Sequence, residues 1–129
     1  MAALTSNDSD NAAPDASTVA LFQQDWMLYR KMVDNNFLYH REAYGRLHDV
    51  LVNEVARPFR FLDIACGDAS ASVGALRGTR VVHYQGIDFS RAALDLASKA
   101  LAELGCAVTL EQNDFQEALR RQTELVDVA

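Results

Sequence analysis

The run Phe59-Arg60-Phe61-Leu62-Asp63-Ile64-Ala65-Cys66-Gly67-Asp68-Ala69-Ser70 leaves the chain few folds to choose from. Phe59, Phe61, Leu62 and Ile64 make a short apolar strand. The residues that follow, Ala65 to Ala69, carry almost no side-chain bulk. A ligand can therefore come close to the backbone there, and Gly67 tolerates a positive φ. Ser70 is placed to cap a helix. A strand that feeds such a loop and helix forms the ligand-binding corner of an open α/β sheet, where ligands sit outside the carboxyl ends of the strands.

The chain on either side fits that architecture. Residues 1–17 are small and polar, with Asp8, Asp10, Pro14 and Asp15, and are expected to be a tail that cannot bury enough apolar surface to order itself. From Thr18 to Val33, Phe22, Trp26, Tyr29 and Val33 recur at helical spacing. Asp34-Asn35-Asn36 interrupts this helix, and a second is expected from Phe37 to Ala56, with Tyr44, Leu47, Leu51 and Val55 as its stripe and Pro58 as its stop. After the loop, a short helix from Ser70 to Arg77 turns Val73 and Leu76 inward and ends at Gly78. A second strand spans Arg80 to Asp88. Ser90 caps a third helix with Leu94, Ala97, Leu101 and Leu104 on one face, and Gly105 stops it. A third strand spans Cys106 to Glu111, a turn or two of helix covers Gln116 to Arg121, and Leu125 to Val128 begins another strand. Strands alternating with helices imply right-handed crossovers and a parallel sheet.

Bulk properties exclude several classes. With 129 residues, half of them hydrophobic, the chain can build one core. A net charge of −6 and a pI near 4.9 argue against a general nucleic-acid or anionic-membrane binder. No apolar run is long enough to span a bilayer, and the N-terminus has no basic-then-apolar signal, so a cytoplasmic location is expected. Cys66 and Cys106 have no close-spaced metal pattern and read as two reduced thiols. His40, Tyr44 and His48 share a helical face, but no carboxylate or thiol completes a ligand set there, so no metal is expected.

The chemistry gathers at the strand ends. Asp63 closes the first strand and Asp68 lies in its loop. Asp88 closes the second, and Asp114 follows the third. An acid after the second strand of a mononucleotide fold accepts from ribose hydroxyls, and Asp88 fits. The loop lacks G-x-G-x-x-G and no Walker lysine follows, so it is a poor pyrophosphate cradle. Asp68 would stand where a phosphate would sit, and two like charges about 4 Å apart repel by about 4 kcal/mol at an effective dielectric of about 20. The ligand should carry ribose and adenine, no phosphate, and a positive or amino group. S-adenosylmethionine has these features. A nicotinamide-dependent oxidoreductase is disfavoured by Asp68 and the missing glycines.

Leu62-Asp63-Ile64-Ala65-Cys66-Gly67-Asp68-Ala69 resembles the first motif of class I S-adenosylmethionine-dependent methyltransferases. Tyr84-Gln85-Gly86-Ile87-Asp88-Phe89-Ser90 resembles the strand that follows it, and Asn113-Asp114-Phe115 resembles the adenine-contacting motif. The resemblance implies a partial Rossmann-like α/β fold, comprising the first three to four strands of the family's sheet after two N-terminal helices. Residues 1–17 would be the tail, 18–57 a helical cap and 58–129 the cofactor-binding half. It also implies that Asp63 and the backbone of Ala65, Cys66 and Gly67 hold the methionine end, that Asp88 takes the ribose hydroxyls and that Phe89 packs against adenine. Asp114 would accept from the adenine amino group, or only close a turn. Phe115 would lie beside it, or in the core. Tyr29 or Tyr39 could reach the site. The family often has glycine where this chain has Ala65 and Ala69, and a methyl at Ala69 crowds the loop if φ is positive there.

The family's sheet continues beyond a fourth strand, so the chain is expected to be a truncated, cofactor-binding half of a parent methyltransferase, inactive alone. In the family the first strand is central, with the fourth beside it, and an unpaired inner edge is a template for another chain. Self-association is therefore expected, with Leu125–Val128 paired across a two-fold axis as a dimer. Two functions follow: methyl transfer from S-adenosylmethionine to an acceptor, by in-line attack on the sulfonium methyl with catalysis chiefly from positioning, or a non-catalytic half-domain that self-associates and holds the cofactor weakly or not at all. No general base stands out.

Overall fold

The computed structural model describes residues 16–36 and 38–129. The expected tail, up to residue 15, and the expected helix start at Phe37 lie outside the described residues. The chain divides into two units, residues 1–38 and 39–129.

The first unit contains helix α1, Ala16–Asp34. It ends where the polar triplet intervenes: the backbone N–H of Asn35 and its side-chain Nδ2 both donate to the Lys31 carbonyl, and Asn36 turns to φ 57°. Asparagine is one of the few residues that visit this left-handed region readily. On the helix, the Arg30 guanidinium lies 5.4 Å over the Trp26 ring, and Tyr29 is exposed.

The second unit is a three-stranded parallel sheet with helices on both faces. Its elements in order are α2 (His40–Asn53), β1 (Phe59–Ile64), α3 (Ser70–Leu76), β2 (Val81–Asp88) and α4 (Arg91–Leu101), then a 3-10 turn Ala102–Leu104, β3 (Ala107–Gln112) and α5 (Phe115–Arg120). The strands lie in the order β1-β2-β3, with Phe61 opposite Tyr84, Asp63 opposite Gly86, and Gly86 opposite Leu110. Strand alternation divides the apolar residues between two faces. Phe59, Phe61 and Tyr84 pack with Leu51 of α2, Val73 and Leu76 of α3, and Ala97 and Leu101 of α4. Leu62 and Ile87 point the other way, onto Ala118 of α5 and Val126.

Local signals account for most boundaries. Ser90 Oγ accepts from the Ala93 N–H and starts α4, and Gly105, at φ 66°, ends the turn after it. Gly78 follows α3 at φ 74°. The second helix is shorter than its apolar stripe, stopping at Asn53 before Val55. Ser70 is not the cap of α3. That position belongs to Ala69 in a left-handed conformation, and Ser70 is the first helical residue. The Asp68 carboxylate supplies the bond instead, accepting from the Ser70 N–H at 3.0 Å. The expected start of a fourth strand is one parallel bridge, Phe61 to Val128, in which the Leu62 N–H donates to the Val128 carbonyl at 2.8 Å and the N–H groups of Asp127 and Val128 donate to the Arg60 carbonyl. It lies beside β1, as the family's strand order implies.

Candidate functional site

The loop after β1 reverses direction through three left-handed residues at alternate positions: Ala65 (φ 58°), Gly67 (φ 56°) and Ala69 (φ 58°). Ala69, whose methyl crowds the loop if its φ is positive, does have a positive φ, and Ala65 shares it. A non-glycine residue there costs roughly 1–2 kcal/mol, so two of the three turns are held against strain by their surroundings. Ala69 is buried in the core against Val73, and the Cys66 N–H donates to the Ile87 carbonyl at 3.1 Å, extending the β1–β2 ladder into the loop.

Asp88 ties the loop to the tip of β2. Its Oδ2 accepts from the Gly67 N–H at 2.9 Å and its Oδ1 from the Ser90 N–H at 2.8 Å. Each oxygen keeps a further lone pair. The Asn113 N–H donates to the Asp88 carbonyl at 3.1 Å, which draws in the loop after β3. Phe89 is 65% exposed and Phe115 41%, so the first is largely open to solvent and the second partly.

Asp63 sits at the other side of the loop. Its Oδ2 accepts from the Tyr84 hydroxyl at 2.6 Å and also from the Ser72 hydroxyl. Burial, opposed by these two bonds and reinforced by the nearby Asp88 charge, holds the Asp63 carboxyl above its ordinary value. Burial first, then the Asp63 and Asp88 charges, push the Cys66 thiol up to about 12, so it is a neutral wall of the site rather than a nucleophile. Burial and the Asp63 charge also push the Tyr84 hydroxyl upward, which keeps it a donor.

Asp63, Ala65, Cys66, Gly67 and Asp88 thus form one contiguous cluster. Asp114 is adjacent in the chain to Asn113, but its Oδ1 caps α5, accepting from the N–H groups of Gln116 at 2.9 Å and Glu117 at 3.2 Å. A groove of about 440 Å³ lies elsewhere, between α4 and β3, lined by Arg91, Leu94, Cys106 and Leu110 among others and by none of the three acids. His48 Nδ1 donates to the Ala75 carbonyl at 2.9 Å, and the His40 and Tyr44 rings meet edge to face. Among the described residues no group of His, Cys, Asp or Glu is arranged to hold a metal ion, and no described helix is long and apolar enough to cross a membrane.

Tyr84, Ser72 and Gly86 are members of the site that motif reading missed. A Cβ at Gly86 would lie 2.9 Å from Tyr84 Cε1, Cys66 Sγ and Leu110 Cδ2. Gly86 is opposite Asp63, so its missing side chain is the space through which the Tyr84 ring leans two pairs along the ladder to reach the carboxylate. A glycine inside a strand is the available sequence signal for such an approach.

The methyltransferase-domain profile matches residues 61–129. No curated protein is significantly similar to the chain. Among solved structures, TrmK of M. capricolum, in complex with S-adenosyl-homocysteine, superposes with a TM-score of 0.51 at 14% identity over 67% of this chain and 38% of its own. A methyltransferase from Agrobacterium tumefaciens gives 0.50 at 19% identity over 61% of this chain and 25% of its own. One from Geobacter sulfurreducens, with S-adenosyl-L-homocysteine, gives 0.46 at 27% identity over 57% and 29%. The first two share the fold. The chain spans well under half the length of each of these proteins. The profile match takes in β1 from Phe61, the loop, β2 with Asp88 and everything after them: this chain belongs to the methyltransferase domain family.

Proposed function

We propose that the cluster binds S-adenosylmethionine and that the chain is the cofactor-binding part of a class I methyltransferase. The observation that carries this reading is the Asp88 carboxylate, bonded through one oxygen to the Gly67 N–H and still able to accept from a ligand. A vicinal diol there would donate to Asp88, in the manner of ribose recognition at the second strand of mononucleotide folds. The backbone of Ala65, Cys66 and Gly67, bare of bulky side chains, would line the methionine end, with Asp63 facing its ammonium. Phe89 and Phe115 would cover the adenine, and Asp114 is left to cap α5 while its Oδ2 accepts from the adenine amino group. Asp68, bonded to the Ser70 N–H, occupies the start of α3 and disfavours a phosphate. When bound, S-adenosylmethionine supplies an electrophilic methyl on sulfur. The acidic residues around the loop suit its positive charge.

Calorimetric titration with S-adenosylmethionine, S-adenosylhomocysteine and NAD tests the reading. Binding of the first two and not of NAD is the expected result, and loss of about 30-fold or more in affinity in Asp88→Asn, where a charge-assisted bond to each hydroxyl is weakened. Binding of NAD alone, or of none of the three, overturns it.

A second reading, a half-domain that self-associates without catalysis, is favoured by Leu125. It is 88% exposed, next to the segment that bridges to β1. In that case the outer edge of residues 125–128 would pair with its copy across a two-fold axis.

A further inference from the structure

We infer that Tyr84 and Ser72 are positioning residues that hold one oxygen of Asp63 so that the other is presented to a cationic amino group of the ligand. The inference rests on the cofactor reading above and names two groups that act through Asp63. Both hydroxyls converge on the same atom, Oδ2. Among the described residues Oδ1 has no hydrogen-bond partner, and it is not one of the fully buried polar atoms left without one, so it keeps some access to solvent.

The two donors are themselves locked. Tyr84 is fully buried, with its ring stacked on Phe61 at 6.0 Å between centroids. Ser72 is 3% exposed, on the first turn of α3. A carboxylate held at one oxygen by two rigid donors cannot rotate, so Oδ1 has a fixed direction. Fixing it in advance removes the entropy that a free side chain would lose on binding. The arrangement also bears on the charge state, which burial on balance moves toward the acid. Two hydroxyl donors favour the carboxylate over the acid, against the burial that favours the acid. The groups in electrostatic contact with Asp63 are Asp88, Cys66 and Tyr84. Of these the thiol and the phenol remain neutral through the acid and neutral range, because burial holds both upward. Hydroxyl loss would therefore act on Asp63 itself.

The test measures S-adenosylhomocysteine affinity by calorimetry from about pH 4.5 to 8 for the wild type, Tyr84→Phe, Ser72→Ala and Asp63→Asn. In parallel, the Asp63 side-chain carboxyl carbon is followed by NMR without ligand, which reads that group alone. The wild type should lose affinity toward acid as Asp63 gains a proton. Tyr84→Phe and Ser72→Ala should each lower affinity at pH 7 by about tenfold and move both the acid limb and the Asp63 resonance to higher pH. Asp63→Asn should lose affinity and show no limb from this group. A merely structural role would change stability and leave both titrations in place. If the wild type binds and Tyr84→Phe and Ser72→Ala titrate as it does, the positioning role is wrong and the cofactor reading stands. If the wild type binds no S-adenosylhomocysteine at any pH, the cofactor reading falls, and this inference with it.

Discussion

Ala65 and Ala69 share a conformation and differ in burial, and the difference sorts their substitutions. Both have φ near 58°, where a methyl costs roughly 1–2 kcal/mol. Glycine removes that cost but frees the unfolded chain by about 0.4–1 kcal/mol. Ala65 is exposed, so nothing else is lost, and Ala65→Gly should raise stability by about 0.5–1 kcal/mol in urea denaturation. Ala69 is 2% exposed and its methyl packs in the core, worth about 0.8 kcal/mol. Ala69→Gly should therefore fall within about 0.5 kcal/mol of the wild type. Asp63 gives the other position-specific prediction. Its folded-state value is raised above the ordinary 3.8, chiefly by burial. The folded state therefore binds the proton more tightly than the unfolded state, and this group's contribution to stability falls as pH rises from 3.8 toward the raised value. Asp63→Asn keeps an acceptor for Tyr84 and Ser72 and turns its amide to the side that keeps some access to solvent. It should melt above the wild type at pH 7, and thermal scans at falling pH should see the gap close.

Between neighbouring strands, the contact that matters is the one Gly86 permits. A Cβ there would stand 2.9 Å from three side-chain atoms, inside any normal contact. Gly86→Ala should cost about 1–3 kcal/mol as an overpacked core change, and it should push the Tyr84 ring off Asp63. A loss of the Tyr84 hydroxyl bond, seen as a moved Asp63 carboxyl titration in NMR, distinguishes this from simple destabilisation. The same contact marks where reading the chain stops. Local chemistry exposed β1, its small-residue loop, the Ser90 cap and the Gly105 stop, because each depends on residues a few positions apart. The Asp63–Ser72–Tyr84 contact depends on strand register and on a helix folding back over the sheet, and no spacing announces that. Ser70 misled because an ordinary capping residue stood one position inside the helix, while the left-handed conformation fell on Ala69. Asp114 caps α5, a local role close to the turn-closing alternative read for it.

The assembled second unit covers both faces of its sheet, and its outer β1 edge is only partly taken by residues 127 and 128. Beyond them Leu125 stands open to solvent. If the edge recruits a copy of the chain, light scattering should give twice the monomer mass at about 100 µM, a concentration range typical of weak association, and Leu125→Asp should return it to monomer. A single monomer mass for the wild type across that range removes the second functional reading. The bond between Gly67 and Asp88 has a consequence for how a ligand would be read. One end lies in the loop after β1 and the other at the tip of β2, so whatever engages the carboxylate also bears on the peptide of the loop. Adenosine and homocysteine offered separately would then assist each other, each fragment binding more tightly with its partner in place, and a covalent link between them would gain further through effective concentration.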